Sequence, residues 1–130
     1  MIDKMVLIVE DDPLQKRMYL MLAKKYSFSV QVVETCLDAL ALIRERPDSL
    51  AVVFMDLGIA EIDGCQCTKM IRQLDVPGSE SIPIVALTGH SAPDYQQMCF
   101  DAGMNDFLGK PFSLDQFKNI VFKWLGRESE

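Results

Sequence analysis

The chain has 130 residues, 49% apolar and 25% charged, with a formal net charge of −6. That length suits one domain around one core, and the composition is that of an ordinary globular protein. An acidic balance without a basic run argues against direct nucleic-acid binding, and no apolar stretch nears the roughly twenty residues that cross a bilayer.

The first apolar run, Met5 to Val9, is short and β-branched, as expected of a strand covered on both faces. It ends in Glu10, Asp11 and Asp12, and then Pro13 suits a first helical turn because its missing N–H would be unpaired there. Asp12 reads as an N-cap with two acids near a helix dipole. That reading accounts for Asp12 but not for three adjacent carboxylates; the sharper reading is a bound cation that needs further oxygens. Leu14, Met18, Leu22 and Tyr26 have helical spacing and predict a helix ending near Lys25. A strand over 29–33 follows, ending in Glu34 and Thr35. Ala39, Leu40 and Ile43 mark a second helix, closed by Pro47. The strand over 51–55 runs into Asp56, and Met70, Ile71 and Leu74 predict a third helix. A turn-rich stretch over 75–83 leads to a strand over 82–87 that ends in Thr88-Gly89. Tyr95, Met98, Cys99 and Ala102 predict a fourth helix. A strand over 105–109 ends in Gly109-Lys110-Pro111, and Phe117, Ile120, Val121 and Trp124 predict the last helix.

Five strand–helix units in strict alternation predict an α/β fold, one parallel sheet with helices on both faces. In such sheets ligands bind outside the carboxyl ends of the strands. Glu10, Asp11, Asp56, Thr88 and Lys110 therefore converge on one rim. A hard cation such as Mg²⁺ wants oxygen ligands, which Asp11 and Asp56 supply, with Glu10 holding a metal-bound water and a backbone carbonyl past Asp56 adding another. A carboxylate beside Mg²⁺ is also a phosphoryl nucleophile. Lys110 would stabilise the equatorial oxygens in transfer, and the Thr88 hydroxyl would bond the attached phosphoryl group. Cys36, Cys65, Cys67 and Cys99 lack zinc-ligand spacing, and the lone His90 is far along the chain. Reduced, packing cysteines in a cytosolic chain are expected, with the eight methionines as core filler.

The segments "VLIVEDD", "VVFMDLGIAEIDG", "IPIVALTGH" and "DAGMNDFLGKPF" together resemble a response-regulator receiver domain across essentially all of the chain. The last two are most similar to receivers of hybrid sensor histidine kinases. The resemblance implies one receiver domain over 1–130. Its fold would be flavodoxin-like, a doubly wound five-stranded parallel sheet in order 2-1-3-4-5 with five helices. It implies Glu10 and Asp11 as the acidic pair, Asp56 as phosphoacceptor, and Gly58 as the loop residue that completes the metal site. Thr88 resembles the switch hydroxyl, Phe107 the switch aromatic, and Lys110 the essential lysine, followed by a proline whose peptide bond is cis in the family.

The implied function is a two-component signalling switch. A sensor histidine kinase or histidine phosphotransfer domain would give its phosphoryl group to Asp56 with Mg²⁺. The face of helix four, strand five and helix five would then change. Such a domain catalyses its own phosphotransfer and dephosphorylation and is not a turnover enzyme. It would lie in the cytoplasm, or on the cytoplasmic side of a membrane-bound kinase, without membrane insertion. A phosphorylation-dependent dimer is a further partner that the resemblance allows.

Ile59-Ala60 stands where the family often has Met-Pro, which leaves that loop more freedom in the unfolded chain. Gly64, in the retained Asp63-Gly64 pair, is expected to take a turn conformation before the third helix. Gly58 and His90 fall at positions that tune dephosphorylation in the family, and a histidine there would make phosphoryl lifetime depend on pH between roughly 6 and 8. Three rival readings fit these residues less well. A degenerate receiver used only for protein interaction would not need all five site residues. A flavodoxin-like electron carrier needs a hydroxyl- and glycine-rich phosphate loop where three carboxylates stand. A phosphatase with an Asp-x-Asp start would not begin with Glu10.

Overall fold

The computed structural model describes residues 4–57, 63–89 and 93–127. The elements alternate strictly: β1 (Met5–Val9), α1 (Pro13–Tyr26), β2 (Val30–Val33), α2 (Cys36–Glu45), β3 (Leu50–Asp56), α3 (Gly64–Arg72), β4 (Ile84–Thr88), α4 (Pro93–Asp101), β5 (Asp106–Gly109) and α5 (Leu114–Leu125). All strand pairs are parallel, in the order β2-β1-β3-β4-β5. This is the flavodoxin-like arrangement expected, with boundaries within a residue or two for most elements. Leu74 and Ala102 fall just beyond the helices that their spacing suggested.

Strand alternation sorts the core into two halves. Leu7, Val9, Val53, Met55, Ile84 and Ala86 point to the side covered by α2, α3 and α4. Val6, Ile8, Val52, Phe54, Val85 and Leu87 point to the side of α1 and α5, where Tyr19 and Phe117 pack. A period of two on strands buried on both faces produces this division directly. The central strands β1, β3 and β4 are apolar up to Asp56 and Thr88 at their carboxyl ends, because both faces of the sheet are covered there.

Two expectations are corrected. Cys36 and Cys67 are joined as a disulfide between α2 and α3, their Cα atoms 5.7 Å apart, so these two cysteines are not the reduced packing residues anticipated. The helices lie side by side on one face of the sheet, and a separation of 31 residues gives no sign of that pairing. Cys65 and Cys99 are free thiols, and burial, with Cys65 nearby, pushes the Cys99 thiol up to about 12. Gly64 is not a left-handed turn residue. It begins α3, buried against the end of β3, where a Cβ would collide with the Leu57 side chain and come within 3.2 Å of Leu57 Cα. The glycine is there for close approach.

Candidate functional site

The backbone ladder runs one residue past the strand ends, which stiffens the carboxyl rim. Glu10 N–H donates to Val33 O at 2.8 Å, Leu57 N–H to Leu87 O at 3.1 Å, and Lys110 N–H to Thr88 O at 2.7 Å. Side chains on this rim are therefore delivered from fixed backbone. Glu10 is fully buried, and Asp56 and Thr88 are 7% and 6% exposed. They border a cleft of about 580 Å³, together with Asp11, Lys110 and Gln15.

Carboxylate oxygens of Glu10, Asp11 and Asp56 all lie within 4.8 Å of one another. Lys110 Nζ is 3.5 Å from Asp56 Oδ2 and 3.7 Å from Glu10 Oε1. Among the described residues, the ion pairs set one ammonium against a cluster of three carboxylates, so negative charge is in excess. Burial is the largest cause holding the Glu10 pKa up, at about 7. A hydrogen bond with Asp56 and repulsion by its charge add to this, while the Asp12 N–H and Lys110 oppose it. Glu10 Oε1 is buried without a hydrogen bond from any described residue, an acceptor left for a cation or a proton. The donor set is all oxygen, with carboxylates from two strand ends, and it fits a hard divalent ion such as Mg²⁺.

Asp12 stands apart from this cluster. Its carboxylate accepts from Gln15 N–H at 3.1 Å and caps α1, as its position predicts. Thus the acidic triplet divides into one cap and two cluster members.

Thr88 closes β4 on the opposite sheet face, the one it shares with Ala86. Phe107 is the register partner of Ala86 and is half-buried in the same half of the core. A hydrogen bond links Tyr95 of α4 to Thr88, connecting the rim to that helix. Lys110–Pro111 is a cis peptide bond, as the resemblance implies. Gly58, Ile59, Ala60 and His90 lie outside the described residues, so the expectations placed on them stand apart from this geometry.

Two residues of the site were missed in the sequence. Gln15 takes a 2.9 Å hydrogen bond from Lys110 Nζ, but three positions after a cap it reads as a local capping residue. Tyr95 reads as one apolar position of a helix. Neither pattern reveals a partner across the fold.

The response regulator receiver domain model matches residues 6–122. The chain is 37% identical over 125 residues to hybrid signal transduction histidine kinase A of Dictyostelium discoideum, covering 95% of this chain but only 6% of that protein. Among solved structures, it is similar to the receiver domain of the sensor histidine kinase PA1611 from Pseudomonas aeruginosa, which has a magnesium ion coordinated in the active site cleft. The TM-score is 0.80 at 27% identity, with 95% of this chain and 98% of that one covered. It is also similar to a Saccharomyces cerevisiae co-crystal structure of the histidine phosphotransfer protein Ypd1 with the receiver domain of Ssk1, at a TM-score of 0.82 and 26% identity, covering 94% and 88%. With the fold, the rim cluster and a family match over nine-tenths of its length in agreement, the chain belongs to the response-regulator receiver domain family.

Proposed function

We propose that residues 1–130 form one phosphoacceptor switch that takes a phosphoryl group from a phosphohistidine onto Asp56. The observation that carries this reading is the Lys110 ammonium 3.5 Å from a nearly buried Asp56, inside a cluster of three carboxylates. Asp56 Oδ forms a bond to phosphorus as the donor's P–N bond breaks, and the imidazole leaves with its nitrogen lone pair. Lys110 moves its charge onto the transferring oxygens. Glu10, Asp11 and Asp56 would hold Mg²⁺, which supplies the positive charge that the cluster lacks. The magnesium in the PA1611 receiver domain supports that ion here.

Once attached, the phosphoryl group would give the Thr88 hydroxyl an acceptor, and Tyr95, beside Thr88 at the cleft, would carry the change to α4. Phe107 packs in the same half of the core and is the aromatic that would follow, so the face of α4, β5 and α5 reports the signal. The partner is a histidine kinase or a histidine phosphotransfer domain, a class supported by the Ypd1–Ssk1 complex. Leu14, 74% exposed and next to Gln15 on α1, offers such a partner an apolar contact in a groove it shares with Met18, Met21 and Leu114. The domain modifies itself and is not a turnover enzyme. The degenerate-receiver alternative is disfavoured because all five site residues are present.

The test is incubation with acetyl phosphate and Mg²⁺. A base-labile mass gain of one phosphoryl group, mapped to Asp56 and absent in Asp56→Asn, is expected. Phosphate on another residue at wild-type yield overturns the assignment.

A further inference from the structure

We propose that Gln15 is a positioning residue that holds the Lys110 ammonium at a set distance from Asp56; the inference rests on the phosphoacceptor reading above. Lys110 Nζ donates to Gln15 Oε1 at 2.9 Å, yet stands 3.5 Å from Asp56 Oδ2 and 3.7 Å from Glu10 Oε1. Charge-assisted N–H···O bonds ordinarily close to about 2.7–2.9 Å. A neutral amide, rather than either carboxylate, therefore holds the closest contact to this ammonium among the described residues.

The Gln15 side chain reaches Lys110 by leaving a local role unfilled. It lies three residues after the cap Asp12, where glutamine ordinarily reaches back to the cap's own N–H. Gln116 of α5 does this, accepting from Ser113 N–H at 2.8 Å. In α1 the Asp12 N–H donates instead to Glu10 Oε2 at 3.2 Å, and the Gln15 amide turns into the cleft. Its backbone stays fixed, because Gln15 N–H still donates to the Asp12 carboxylate. The amide is thus presented from a rigid helical turn.

Without that acceptor, the ammonium is free to close on Asp56 Oδ2 and occupy a lone pair that must attack phosphorus. The tether keeps Lys110 close enough to meet the incoming phosphoryl oxygens and prevents it from engaging the nucleophile first.

The experiment compares wild type with Gln15→Met, which keeps length and removes the acceptor, and Gln15→Glu, which keeps an acceptor at the same reach. Nitrogen-15 NMR reads proton exchange at the Lys110 ammonium. A slowly exchanging signal is expected in wild type and Gln15→Glu and is lost in Gln15→Met. The second-order rate of phosphorylation by acetyl phosphate, at saturating Mg²⁺, should fall about tenfold in Gln15→Met, the size of one charged hydrogen bond. The Mg²⁺ dissociation constant should stay within about twofold, and in a Lys110→Met background Gln15→Met should change the rate by less than about twofold. Equal rates in wild type and Gln15→Met, or the same loss in both backgrounds, overturn the proposal. If wild type takes no phosphate on Asp56, the functional reading falls. The NMR signal then decides the tether alone: lost in Gln15→Met it stands, unchanged it is overturned.

Discussion

α1 and α5 both open on a capping residue followed three positions later by glutamine, Asp12 with Gln15 and Ser113 with Gln116. In α5 the exchange is reciprocal. The Ser113 hydroxyl accepts from Gln116 N–H at 3.1 Å, and the Gln116 amide accepts from Ser113 N–H at 2.8 Å. In α1 only the first half forms; Glu10 takes the cap N–H and Lys110 takes the amide. The α5 cap is exposed and completes itself, whereas the α1 cap begins two residues after a buried carboxylate and is drawn into its charge network. A local hydrogen-bonding motif yields when a buried charge needs the same groups, because an unmet buried charge costs more than an unmet group in water.

The largest expected effect separates the two helix starts by pH. With the folded-state pKa of Glu10 raised to about 7, the native state keeps a proton that the unfolded chain releases near 4.5. This group's share of stability is therefore fully present below pH about 4.5 and is lost as pH rises toward about 7, a change on the order of 1–3 kcal/mol. Saturating Mg²⁺ should remove most of that slope by stabilising the ionised form. Denaturant melts across pH, with Mg²⁺ or a chelator, check both. A chelated protein equally stable at pH 4.5 and 7.5 would break the link between α1 and a buried acid. The α5 box, a hydroxyl and an amide, has no proton to lose in that range.

A third start with the same spacing, Asp63 with Gln66 in α3, sharpens the comparison sterically. Gly64 sits against Leu57 with no room for a Cβ. Gly64→Ala should destabilise by about 1–3 kcal/mol through overpacking, read as a lower denaturant midpoint with an unchanged slope. A stabilised variant would mean that helix propensity outweighs the close approach.

Ser113→Ala removes an exposed cap and should cost about 1 kcal/mol. Its phosphorylation rate should match wild type, because among the described residues the side-chain bonds of the α5 box run only between Ser113 and Gln116. A slowed reaction would show that both helix starts serve the site.

Smallest is Tyr19→Phe. The Tyr19 hydroxyl is buried beneath the cluster without a hydrogen-bond partner among the described residues, and burial with the Glu10 and Asp56 charges raises its pKa. Deleting it should change stability by no more than about 0.5 kcal/mol, because no bond is lost and the ring packing on Phe117 remains. A larger loss, measured by thermal melt, would reveal a polar role for that hydroxyl in the charge network.

Much of the architecture was legible because the physics of each element is local. Runs such as Val52 to Met55 are apolar throughout because both faces are covered, and the alternation with helical segments leaves a parallel sheet as the natural solution. The rim residues were legible too, since Glu10, Asp11, Asp56, Thr88 and Lys110 follow directly on apolar strands whose ends must gather at one edge. The cap at Asp12 needed only its own neighbours. The strand order itself came by resemblance, for alternation alone permits more than one winding.

What no local pattern held was any pairing between side chains distant along the chain. The bond between Cys36 and Cys67 depends on how α2 and α3 lie on the sheet, and the demand for glycine at Gly64 depends on where Leu57 ends up. Gln15 shows the division most clearly. Its sequence neighbourhood determines a helix start with glutamine at the third position, and that is what forms. Which group its amide serves was decided only when folding brought Lys110 across 95 residues to within 2.9 Å, in a place where a half-buried charge prevails over a local backbone N–H.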